Sequence, residues 1–179
     1  AINTPVKTIK RAGGDVLKRR SLSRAVQNAK TWWSIRCNRR RDPLDRFDWM
    51  MEKAEELGVR SAFYFMSSRK GQFDLGYPMG HATIRTLVRR IAERGHEVGF
   101  HPGYRTAHAP RRWDSEFDVL CRELPNGVTP KGGRQHFLRF ENARTWRLWA
   151  RSPLQYDSTL GFHDLAGFRC GTCWPFPVF

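Results

Sequence analysis

From residue 44 onward, short apolar runs alternate with helical stripes, and this alternation constrains the fold more than any other feature of the chain. Phe47, Trp49, Met50, Met51, Ala54 and Leu57 mark a helix, and Gly58 stands where helices commonly end on a left-handed residue. Ser61 to Met66 (SAFYFM) is a short apolar run of the buried-strand kind. After a loop rich in glycine and charge, Ser67 to Gly80, the residues Ile84, Leu87, Val88 and Ile91 set out a second helix closed by Gly95. Glu97 to His101 follows as a second strand. Phe117, Leu120 and Cys121 mark a third helix, Gly132 to Phe137 a third strand and Thr145 to Ala150 a further helix. Gln155 to Asp157 and Gly167 to Arg169 read as two more strand ends. Strands alternating with helices predict parallel βαβ units. About five strands are too few to close a barrel alone.

Charge separates the chain into two parts. It holds 32 Lys and Arg against 17 Asp and Glu, a formal net charge of +15, which first suggests a nucleic-acid partner. Residues 1–41 carry twelve of the basic residues and one acid, Asp15, a net of +11 that leaves only +4 on residues 42–179. Within residues 5–38 an apolar stripe at loose helical spacing includes Val6, Ile9, Val16, Leu17, Leu22, Val26 and Trp33, broken at Gly13-Gly14. The basic part is therefore expected to be a helical segment or insertion over 1–41, with a soluble body over 42–179. Its only aromatics, Trp32 and Trp33, and its only glycines, Gly13 and Gly14, stand in single pairs and do not interleave with the basic residues as on a single-strand platform. No run of 18 apolar residues suggests a membrane span. The chain opens on Ala1 and stops within an apolar run, so a piece of a longer protein is expected.

Four cysteines, Cys37, Cys121, Cys170 and Cys173, are too few for a disulfide-stapled domain of this length. Cys170 and Cys173 form one CxxC, with no second pair to complete a zinc set, and Trp174-Pro175-Phe176-Pro177 after it does not propagate a helix.

Polar residues collect where parallel α/β folds place their chemistry, at the carboxyl ends of strands. His101, Tyr104 and Arg105 follow the second strand, and Arg134, His136 and Arg139 the third. Asp157, Ser158 and Thr159 stand at the fourth, and Arg169 and Thr172 after the fifth. One such histidine is commonly a packing residue; four successive strand ends so equipped point to a site.

These residues carry a resemblance. Gly95 to His101 (GHEVGFH) resembles the G-H-E-[IV]-G-x-H motif of the polysaccharide deacetylase family, the NodB-like carbohydrate esterases, and Ser61 to Met66 resembles the strand before it. Phe100 to Tyr104, Gly132 to Phe140, Tyr156 to Phe162 and Gly167 to Phe176 are similar to motifs of a bacterial branch associated with surface polysaccharides. The resemblance covers residues 42–179. It implies a partial, distorted (β/α) barrel and removal of an N-acetyl group from a surface-glycan sugar by metal-bound water. The divalent metal, usually zinc, would be held by an aspartate and two histidines. The implied partner is a glycan or sugar precursor, with no specific nucleic acid, and the implied location is the bacterial cytoplasm or membrane periphery.

Two departures accompany the resemblance. The family's first motif, which supplies its aspartates, is not found in this chain, and Arg105 stands where the second metal histidine is expected. By position, His101 is the expected metal ligand, with His108 or His136 as its companion. His136 is the candidate acid, Arg134 the residue expected to orient a carboxylate, and Asp157 the carboxylate expected to pair with a base or histidine. Tyr104, Arg105, Arg169 and Trp174 are expected to contact sugar, aromatic faces stacking on pyranose rings. A catalytically inactive carbohydrate-binding relative is the alternative reading, and a basic nucleic-acid-binding protein a further one.

Overall fold

The computed structural model describes Gly14, Val16, Leu17 and residues 20–37, 45–68, 71–74 and 76–178. The chain divides into two compact units, Ala1–Lys53 and Ala54–Phe179. The expected helix over 5–38 falls partly outside the described residues, including Val6, Ile9 and Asp15. Its described portion contains α1 (Leu22–Arg36), in which Ala25 is buried while Leu22, Val26 and Trp33 are exposed. Helix α2 (Phe47–Glu56) follows and reaches into the second unit, where Gly58 takes φ +67° just beyond it.

The second unit is built on four parallel strands in sequential order: β1 (Ala62–Phe65), β2 (Glu97–Phe100), β3 (Gly132–Gly133) and β4 (Tyr156–Asp157). Helices α3 (Ala82–Glu93), α4 (Pro110–Glu123) and α5 (Arg144–Trp149) lie in the three crossovers. The βαβ alternation read from sequence is therefore present, in a mixed α/β fold with an all-parallel sheet. Two details differ. Gly132 to Phe137 is extended only over its first two residues, because Phe137 turns to φ +59° in a 3-10 turn, His136–Leu138. Residues 167–169 form no strand and are exposed.

Side chains alternate across a strand, and the two sheet faces differ accordingly. Phe63, Phe65, Val98 and Phe100 are buried on one face, with register pairs Phe63–Val98 and Phe65–Phe100. The Phe100 ring meets Trp113 at 5.1 Å and Phe117 at 5.3 Å, both edge-on, and Trp113 meets Trp149 at 5.8 Å. Leu87, Val88 and Ile91 of α3 are buried too. Burial of each such side chain contributes about 1.5–3 kcal/mol. The other face carries Tyr64, Glu97 and Tyr156: the Tyr156 hydroxyl donates to Glu97 and lies 3.4 Å from the Tyr64 hydroxyl. Gly133 is required by close approach, since a Cβ there would lie 2.0 Å from the Phe100 carbonyl oxygen.

His96, inside the motif that ends at His101, is a structural residue. It is buried, accepts from the Ser61 N–H at 3.2 Å through Nδ1, and donates through Nε2 to Glu55 at 3.2 Å. Arg94 makes two further bonds to Glu55, at 2.8 and 2.7 Å, and holds its carboxyl below the usual range. The strand start and the end of α2 are tied together by this cluster.

Candidate active site

The hydrogen-bond ladder runs one step beyond each strand and fixes the rim of the sheet. His101 N–H donates to Phe65 O at 2.9 Å, Arg134 N–H to Phe100 O at 3.0 Å and Ser158 N–H to Gly133 O at 2.9 Å. His101, Arg134 and Ser158 thus take neighbouring places at the carboxyl ends of β2, β3 and β4. His136 follows two residues after Arg134.

This arrangement brings His101 and His136 together. His101 Nε2 lies 2.9 Å from His136 Nδ1, with the rings edge-to-face at 4.9 Å. The outer nitrogens face carbonyl oxygens: His101 Nδ1 to Arg134 O at 2.6 Å, His136 Nε2 to Phe73 O at 3.0 Å. A carbonyl only accepts, so each outer nitrogen must carry a proton. The bond between the rings needs a third. Three protons on two imidazoles leave the pair with one positive charge. Burial, above all, lowers the His101 pKa, with the bond to the Arg134 carbonyl opposing. The compensating anion is Asp74, buried, with Oδ1 3.9 Å from His136 Nε2.

The loop that holds Asp74 is clamped from both sides of Gly103. Tyr104 N–H donates to Asp74 Oδ1 at 2.8 Å, and Gly103 N–H to Glu116 Oε2 at 2.7 Å. Glu116 is buried, its carboxyl pushed up by burial and partly restored by the Gly103 N–H and Arg112, whose Nε donates to Oε1 at 3.0 Å. A Cβ on Gly103 would lie 2.7 Å from Ser68 Cβ and 3.0 Å from both carboxylates, so only glycine lets the chain pass.

Aromatic rings border the pair. Phe73 lies 4.3 Å from Tyr104 and 5.9 Å from Phe137, and Phe137 stands 4.6 Å from the His136 ring. Arg139 stacks over Tyr104 at 4.2 Å and donates to its carbonyl. Phe137 and Leu138 both take positive φ, +59° and +51°, a strained conformation for residues with a Cβ.

The other expected site residues take different places. Arg134 acts through its backbone: its carbonyl orients His101, while its guanidinium donates to Ser158 O at 3.2 Å and Oγ at 3.3 Å and lies 5.6 Å over the Tyr64 ring. Asp157 closes its own turn rather than pairing with a histidine: Oδ1 accepts from Thr159 N–H at 2.8 Å and from the Thr159 hydroxyl. Burial raises its carboxyl pKa, with the Thr159 bonds and Arg134 opposing. His108 does not join the pair; its Nδ1 accepts from Arg144 at 3.1 Å. Arg105, Arg169 and Trp174 are exposed and show no side-chain contact with His101 or His136 among the described residues. Cys170 and Cys173 are unpaired.

Sequence reasoning missed Asp74, Glu116, Phe73 and Phe137. Asp74 had a signal, because it sits in the loop after the first strand, a carboxyl-end position like that of His101. Glu116 had one too: it stands one turn after Trp113 and beside Phe117, on the buried face of α4.

A catalytic zinc site takes three protein ligands and leaves one position open. The inner nitrogens of His101 and His136 are bonded to each other, and among the described residues no group of three or more His, Cys, Asp or Glu is placed to hold a metal ion. No helix among the described residues is long and apolar enough to cross a membrane. No protein-family model, curated protein or solved structure matches the chain.

Proposed function

We propose that the chain is the body of a carbohydrate deacetylase-like hydrolase, removing an N-acetyl group from a surface-glycan sugar on a partial (β/α) barrel. The observation that carries this reading is the His101–His136 pair, clamped by two backbone carbonyls at the ends of adjacent parallel strands. The strand order supports the barrel wall: four parallel strands in sequential order, with a helix in each crossover, step in one direction across the sheet. The metal named by the resemblance remains part of the proposal, with His101 as its ligand. The described residues do not assemble its set, and the imidazole chemistry stands without it.

The charged pair supplies a base and an acid at one junction. As the bond between the rings opens, neutral His101 Nε2 takes a proton from water, whose oxygen adds to the acyl carbon. His136 Nδ1–H protonates the sugar nitrogen as the C–N bond breaks. Acetate and a free amino sugar leave, and re-formation of the ring-to-ring bond returns the proton from His101 to His136. Such general acid–base catalysis contributes about 10²–10⁴-fold.

The test is acetate release from an N-acetylated oligosaccharide by the full chain. His101→Gln and His136→Gln are each expected to lower the rate at least about 100-fold. Folded wild-type protein that binds the oligosaccharide but releases no acetate, with or without added zinc, would make it a binding relative instead.

A further inference from the structure

Arg144, Arg147 and Arg151 recur at i, i+3 and i+7, the spacing that aligns side chains along one side of a helix. They begin on α5 and continue just past it, and with Ala107, His108, Pro110 and Leu148 they line a cleft of about 380 Å³. Pro110 and Arg151 also border a neighbouring hollow lined by Arg111. The cleft is apolar at its base, where Leu148 is buried, and cationic along its wall.

Its two acids are already engaged. Glu141 accepts from Arg144 at 2.9 Å, and Asp114 from Arg151 at 2.8 Å. Arg144 also donates to His108 Nδ1 at 3.1 Å. A guanidinium only donates, so His108 Nδ1 is an acceptor and its proton sits on Nε2. The guanidinium of Arg147, between the two paired arginines, has no ion pair or hydrogen bond among the described residues. The first turn of α4, which also borders the cleft, carries no acid.

We propose that this cleft binds a phosphate group, as carried by a phosphorylated sugar. Carboxylates already occupy Arg144 and Arg151, one charge each. What remains is a free guanidinium, the unused donors of its neighbours and the His108 Nε2–H. A phosphate matches that set, with a charge of about −1.5 to −2 and three acceptor oxygens. The site involves neither His101 nor His136, so it stands or falls apart from the hydrolase reading.

The test is calorimetric titration of the full chain with inorganic phosphate at constant low ionic strength, chloride replacing phosphate in the control. Wild type is expected to bind saturably. Arg147→Ala is expected to weaken binding at least about tenfold, the loss of one charge-assisted bond. Arg122→Ala, an exposed arginine at the other end of α4, is expected to leave it unchanged. Arg147→Ala removes no side-chain hydrogen bond or ion pair among the described residues, so its thermal melt should overlay that of wild type. No saturable binding, or equal loss in both variants, overturns the proposal. The source is read by competition. Displacement of phosphate by glucose 1-phosphate supports the sugar. Failure to displace it, with Arg147-dependent retention on phosphatidylcholine vesicles containing phosphatidic acid, overturns the sugar in favour of a lipid headgroup.

Discussion

His101 and His108 stand close in sequence and belong to two different kinds of site. His101 is held by two hydrogen bonds in a half-buried rim, with a backbone carbonyl on one side and a second imidazole on the other. His108 is about half exposed, beside an arginine and a glutamate that water also reaches. In the rim, backbone carbonyls fix the outer protons of both rings, and the buried Asp74 carboxylate lies 3.9 Å from His136. On the flank, long side chains meet in solvent, where Coulomb energies are small and screened. A rim of that kind suits chemistry on a bound group, and a flank of the other kind suits reversible capture of an anion.

The largest way to break the contrast is to remove the rim's footing. Gly133→Ala would put a Cβ 2.0 Å from the Phe100 carbonyl and 2.9 Å from the Trp149 ring, in a strand with no room to relax. We expect a loss of about 3 kcal/mol or more, at the upper end of overpacking costs, read by urea denaturation. No substitution at Arg144, Arg147 or Arg151 should approach it.

Next is Asp74. Asp74→Ala removes the acceptor of the buried Tyr104 N–H and the anion facing His136. An unsatisfied buried donor costs about 1–3 kcal/mol, and the variant should fall in that range. Asp74→Asn keeps an acceptor oxygen and should recover most of the stability while still lowering acetate release. Equal stability of the alanine and asparagine variants would mean that the Tyr104 bond contributes nothing.

How much of this was legible in the sequence follows from what each residue uses. The strands around Phe63–Phe65 and Val98–Phe100 are visible because burial writes itself as apolar runs. His101 is visible because it ends such a run. Arg134 is visible as an arginine, yet what meets His101 is its carbonyl, which any residue would supply, while its guanidinium reaches Ser158. The extension of the third strand to Phe137 fails for a related reason: the aromatic residue suggests a strand, while the backbone there turns left-handed, which side-chain chemistry does not reveal. Asp157, by its position in the resemblance, reads as a carboxylate that pairs with a base or histidine, but Thr159, two residues on, satisfies it locally.

A smaller effect separates the two regions by pH. His101 titrates below its ordinary value because burial disfavours its charged form. In the unfolded chain it takes up a proton near pH ~6.5. As pH falls through that value the unfolded state binds more protons than the folded one at this residue, so its contribution favours unfolding increasingly. It levels off once pH has dropped below the folded value. Stability measured between pH ~7 and ~5 should therefore fall less steeply in His101→Gln than in wild type. An unchanged slope would mean that burial does not hold His101 below its ordinary value.

The smallest expected effect lies on the flank, where the absence of a response is the informative result. His108→Gln removes a ring that is about half exposed and one bond from Arg144, which keeps Glu141 as a partner. Exposed positions of this kind change stability by less than about 0.5 kcal/mol. The same variant should weaken phosphate binding, because the Nε2–H it removes is one of the cleft's donors. A glutamine amide recovers that donor only in part, at a different reach. Stability unchanged with phosphate binding reduced would separate the two regions sharply: His101 is coupled to the fold through its backbone clamps, while His108 answers to a ligand. A His108→Gln variant as destabilised as Asp74→Ala would erase that distinction and place the cleft within the folded core's network.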